Sequence, residues 1–149
     1  MRLAAALLGL SLSVASGNLL AQVQSLGERP FVGGVQVGCP GTTTYVMPIS
    51  DLAQAVPGEI RLSPAFFSQP AVLQVFVYAH ECAHQIYGGG AAGEAAADCW
   101  AIKLGRDQGW LPPNATYLIA QSVADTAGDW THAPGPIRIQ QMAACYDMP

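Results

Sequence analysis

VYAHECAHQIYGGG, residues 77–90, carries two of the three histidines in the chain, and its reading decides the fold around it. No Gly or Pro interrupts Ala71 to Tyr87, which predicts a four-turn helix. Ser68 offers an N-cap, Pro70 fits a first turn, and Gly88, Gly89 and Gly90 stop the helix. His80 and His84 then stand at i and i+4, about 40° apart around the axis, so both imidazoles point the same way. Glu81 lies about 100° further round, within reach of a water between the histidines but not itself a ligand. The flanks Val72, Leu73, Val75, Phe76, Val77 and Ala79 are apolar. Unpaired polar groups buried on such a helix cost several kcal/mol each, which a metal ion offsets.

A catalytic zinc site takes three protein ligands and keeps a fourth position open, so two histidines are one donor short. Ten residues after His84 comes Glu94, in GEAAADCWA, residues 93–101. Glu94 and Asp98 are again i and i+4 and share one face of a second helix, expected from about residue 93 to 107. Ala95, Ala96, Ala97 and Ala101 are small enough to let the two helices approach closely. Glu94 is the candidate third ligand. Asp98 is placed to take the second ring proton of His80 and fix its tautomer. The plainer alternatives are a first-turn carboxylate favoured by the helix dipole for Glu94, and an exposed charge for Asp98.

H-E-x-x-H on one helix, followed on the next by E-x-x-A-D, resembles the gluzincin metallopeptidases. The likeness is nearest to small soluble relatives of the HtpX-like and CAAX-protease-like zinc peptidases, and it spans roughly residues 58–145. The resemblance implies a minimal zincin-like domain in which His80, His84 and Glu94 bind Zn2+. Glu81 would be the general base and Asp98 a supporting carboxylate. It departs from the family in its short linker, QIYGGGAAG at 85–93, and in having no membrane spans. It also implies an edge strand above the metal helix, to which EIRLSP at 59–64 is assigned, with an ordinary core strand as the alternative. In related peptidases a downstream His or Tyr donates to the oxyanion and an Arg or Asp steadies it. Carried over, that role falls to His132 in DWTHAPGPIRI, residues 129–139, with Arg138 as its support; a merely solvated loop histidine is the alternative. Tyr87 and Tyr117 are weaker candidates for the same role, and Trp100, Trp110 and Trp130 are expected as core or rim aromatics.

The remaining sequence sets the context. The chain has 149 residues, 51% hydrophobic and 11% charged, with a net charge of −4 and no basic run. One domain with a real core is therefore expected, and a nucleic-acid footprint is absent. Residues 1–21 read as a signal peptide, with Arg2 before an apolar stretch from Leu3 to Ala15 and cleavage after Ala21, or after Gly17. The apolar stretch is shorter than the roughly 20 residues of a membrane span. The expected location is secreted or periplasmic, with a peptide or protein as substrate and no membrane span in the mature chain. Cys39, Cys82, Cys99 and Cys145 are then disulfide candidates with three possible pairings, Cys82–Cys99 with Cys39–Cys145 being preferred, and four free thiols the alternative.

Along the chain, residues 22–41 are expected as an irregular lead-in to a zincin-like domain at 42–149. Strands are expected at 42–48 and 58–64, with a single helical turn between Asp51 and Val56. A third helix is expected within 112–128 with Asn114 as N-cap (Asn114-Ala115-Thr116 also matches a glycosylation acceptor), and a fourth from Pro136 to Tyr146. The whole is a helix-dominated α+β domain with a short sheet. The sequence thus predicts an exported zinc metallopeptidase. A catalytically silent zinc domain that binds partners, and an amidase or endopeptidase acting on peptidoglycan stems, are the alternatives.

Overall fold

The computed structural model describes residues 22–148; the expected signal peptide at 1–21 lies outside them. Its sheet is organised by the alternation in Glu59-Ile60-Arg61-Leu62. Ile60 and Leu62 are fully buried, while Glu59 and Arg61 face outward and pair with each other at 2.9 Å. This strand, β6 (Glu59–Leu62), lies inside a four-stranded sheet of order β1-β4-β6-β5, where β1 is Gln24–Gly27, β4 Thr43–Val46 and β5 Ala53–Val56. β4 and β6 run parallel, and the other pairings are antiparallel. A separate hairpin joins β2 (Phe31–Val32) to β3 (Val35–Gln36).

Three of these findings correct the sequence reading. Residues 22–41 are not a wholly irregular lead-in, since they supply β1, β2 and β3. The segment expected as a helical turn is the strand β5. Consequently the edge strand over the helix that carries His80 and His84 is β5, and EIRL is the interior strand beside it. Ala and Gln have little intrinsic strand preference, so β5 exists because antiparallel pairing with β6 overrides local propensity.

Four α-helices follow: α1 (Ala71–Tyr87), α2 (Gly90–Gln108), α3 (Thr116–Val123) and α4 (Gly135–Asp147). Ser68 does not cap α1; it ends a short 3-10 turn, Pro64–Ser68, and Pro70 occupies the cap position. Asn114 likewise sits inside a 3-10 turn, Pro113–Ala115, without capping α3. α1 is central and has two buried flanks. Val75, Tyr78 and Cys82 pack under the sheet with Val32, Ile60, Leu62 and Phe66. Leu73, Phe76 and Ala79 pack against Ala101 and Ile102 of α2, Ile119 and Val123 of α3, and Met142 and Cys145 of α4. Burial on both sides explains why the helix is apolar almost all round.

All four cysteines are in disulfides, but not in the expected pairs: Cys39 joins Cys82, and Cys99 joins Cys145. Helical phase is the reason. Cys82 is about 200° from His80, on the sheet side of α1, and so points away from α2. Cys99 is about 100° round from Asp98 and faces α4. Two such bonds belong to an oxidising compartment. No helix among the described residues is long and apolar enough to cross a membrane.

Candidate metal centre

The turn between α1 and α2 brings two sets of i, i+4 side chains face to face. Gly88 has φ 71° and Gly90 has φ 76°, a left-handed turn that reverses the chain within three residues. Gly93 then approaches so closely that a Cβ there would overlap the Gly88 carbonyl oxygen. This close return puts the first turns of α2 against the last turns of α1, and Ala97 and Ala101, both fully buried, keep the helices close further along.

Across that seam, His80 Nε2 lies 3.0 Å from Glu94 Oε2 and 3.1 Å from His84 Nε2, and His84 Nε2 lies 3.4 Å from Glu94 Oε1. Each histidine spends its other nitrogen elsewhere. His80 Nδ1 donates to Asp98 Oδ1 at 2.9 Å, and His84 Nδ1 donates to the Gly88 carbonyl at 2.8 Å. In these tautomers both Nε2 atoms carry lone pairs, so two lone pairs and a carboxylate converge on one point. Electron-rich atoms this close are satisfied by a metal ion between them or, without one, by a proton on His80 Nε2. Tetrahedral zinc with ligands at about 2.0–2.1 Å separates its donor atoms by about 3.3 Å, close to the spacings found here. The donor set fits the ion: His80, His84 and Glu94 can hold a metal, with all three donor atoms within 4.8 Å of one another.

The surrounding charges follow. Burial works against a charged His80, but Asp98 and Glu94 more than reverse it, so without metal its pKa is raised to about 9. Glu94 and Asp98 are desolvated too; hydrogen bonds and charges from their partners nevertheless hold both carboxyls below the usual range. Asp98 is 3% exposed. Arg138 grips it with a two-pronged contact, Nε to Oδ2 and Nη2 to Oδ1, both 2.8 Å. Arg138 was expected to steady His132. It instead locks the carboxylate that orients His80.

Glu81 sits on the cleft side of α1, next to β5. Burial raises its pKa, against the pull of the two histidines and a hydrogen bond accepted from the Ala55 backbone N–H. Gln85 fixes that edge in place. Its Nε2 donates to the Val56 carbonyl at 2.9 Å, and its Oε1 accepts the Gly58 N–H at 3.1 Å, tying the β5–β6 turn to α1. The cleft between β5, α1 and α3 has a volume of about 1060 Å³.

His132 also reaches the site. Its Nε2 lies 3.0 Å from Glu94 Oε2, and its Nδ1 lies 3.1 Å from Asp129 Oδ2. Asp129 is held by the backbone N–H groups of His132 and Thr131 and by the Thr131 hydroxyl, which keep its carboxyl far below the usual range. Asp129 is thus the group that steadies His132, and sequence reasoning missed it; its signal was an Asp three residues before a loop histidine. Tyr117 lines a separate apolar cavity with Ile102 and Met142, and Tyr87 is exposed at the end of α1. Trp100 and Trp110 pack against the core, whereas Trp130, 99% exposed, does not. No protein-family model, curated protein or solved structure matches the chain.

Proposed function

We propose that the chain is an exported zinc-dependent metallopeptidase, a minimal relative of the gluzincins. The observation that carries this reading is the convergence of His80 Nε2, His84 Nε2 and Glu94 beside a half-buried carboxylate, Glu81, that is not one of the three donors. A site that only holds the fold together has no use for such a base. The two disulfides support export.

When bound, zinc supplies a Lewis acid that polarises a carbonyl and acidifies water towards neutrality. The chain's own residues do the rest. Glu81, its proton affinity raised by burial, takes a proton from the attacking water and returns it to the departing nitrogen as the C–N bond breaks. His132 is held through Nδ1 by Asp129, and an N–H on its Nε2 would donate to the carbonyl oxygen as negative charge gathers there. β5, an outer strand facing the cleft, offers backbone groups to an extended peptide with little demand on its sequence.

Glu81→Gln tests the reading. It should retain stoichiometric zinc while casein cleavage falls by about a thousandfold. Full proteolysis by that variant would remove Glu81 from the mechanism.

A further inference from the structure

His132 has the features of a ligand as well as those of a substrate-facing group. The three histidines are prepared alike: each has Nδ1 on an oxygen, from Asp98, Gly88 or Asp129, which leaves Nε2 as the free donor atom. A carboxylate holding the far nitrogen is the usual companion of a metal-bound histidine, and His132 shares it with His80. Its Nε2 is aimed at Glu94 Oε2, the same oxygen that meets His80.

The loop carrying it is a closed unit. Gly135 N–H bonds to the Thr126 carbonyl at 2.9 Å, and Asp129 N–H bonds to that of His132 at 2.9 Å. Its far end is anchored where Gly135 abuts the end of α3; a Cβ there would overlap the Val123 carbonyl. The loop therefore presents His132 as a block. The contact of His132 with Glu94 also separates two cavities, the cleft of about 1060 Å³ and a smaller one of about 290 Å³, which share Glu94, Asp129, His132 and Arg138.

We infer that His132 is a fourth protein donor to the metal in the substrate-free protein, closing the site until a substrate displaces it. This rests on the proposed metal site at His80, His84 and Glu94. His132 Nε2 is not among the donor atoms within 4.8 Å of one another, so ligation takes a short inward step of the loop. A site with four protein ligands is closed, and one with three is open to substrate. Displacement by a substrate carbonyl opens the site and frees His132 Nε2 to take a proton from solvent and donate it in a hydrogen bond to the oxyanion, so the same side chain serves both states in turn. Opening the contact also joins the two cavities into one longer groove.

The test compares wild type, His132→Ala and Asp129→Asn, each loaded with zinc in competition with a chromophoric chelator, and each loaded with Co(II) for visible absorption. Loss of a ligand should weaken zinc binding by about a hundredfold in His132→Ala, and loss of its orienting carboxylate by about tenfold in Asp129→Asn. The Co(II) band should change in His132→Ala and recover on adding imidazole. A His132→Ala loss smaller than tenfold overturns the inference. So does a larger loss with an unchanged Co(II) band, because His132 would then act only through Glu94. Both outcomes leave the three-donor site intact. Failure of that site is read separately, as wild-type protein that takes up no metal.

Discussion

At the scale of the residue, His80 is where proton, metal and fold compete. In the metal-free protein its pKa of about 9 exceeds the ordinary value of 6.5 that holds once the chain unfolds. Protonated His80 therefore stabilises the metal-free fold fully below about pH 6.5, and that contribution is lost as pH rises towards 9. After chelation, the melting temperature should fall across this window. The slope should flatten in His80→Gln; an identical slope there would assign the effect to another group. Metal uptake at neutral pH should also release a proton, since the same lone pair cannot hold both. The convergence of these four side chains was legible because spacing alone sets helical phase: His80 with His84, and Glu94 with Asp98, each share a face. Asp129 and Arg138 were not. Loop residues have no periodicity to read. Arg138, six residues from His132 in sequence, is carried by the direction of α4 onto Asp98 instead.

At the scale of the element, the turn from α1 to α2 sets the register of the whole site. Gly93 lets α2 begin against the Gly88 carbonyl, and Glu94 is the next residue. Gly93→Ala introduces a methyl group where backbone already stands, so the start of α2 must shift and take Glu94 with it. The expected result is at least about tenfold weaker metal binding in a chain that still folds; unchanged affinity, read by the same chelator competition, would mean that the turn can relax without moving the ligand. Helices α1 and α4 were readable nearly to the residue, because apolar runs bounded by Gly and Pro leave few alternatives. Strand β5 was hidden because its residues do not favour a strand until β6 pairs with them. The disulfide pairing was within reach of the sequence. Once the carboxylates of α2 are set facing His80, Cys82 points the other way and cannot meet Cys99.

At the scale of the molecule, α1 is clamped between two cores, and each core carries one disulfide. Cys39–Cys82 ties the segment after β3 to the sheet side of α1, and Cys99–Cys145 ties α2 to α4. They close stretches of 43 and 46 residues, each expected to contribute about 4 kcal/mol by restricting the unfolded chain. Denaturant unfolding of Cys99→Ser/Cys145→Ser should show a loss of that size; a loss near zero would mean that the packing of α2 on α4 suffices without the bond. The α+β class followed from composition and periodicity. The layering did not, because two-sided burial of α1 depends on which strand reaches it.

The central claim is that His80, His84 and Glu94 form one metal site. Its most direct test is metal analysis of the chain purified without chelator, dialysed against zinc, alongside His84→Ala and Glu94→Ala. One tightly held zinc per wild-type chain is expected, falling in both variants while their circular dichroism stays native. A wild-type chain that folds and retains no zinc, or variants that retain it undiminished, would contradict the account.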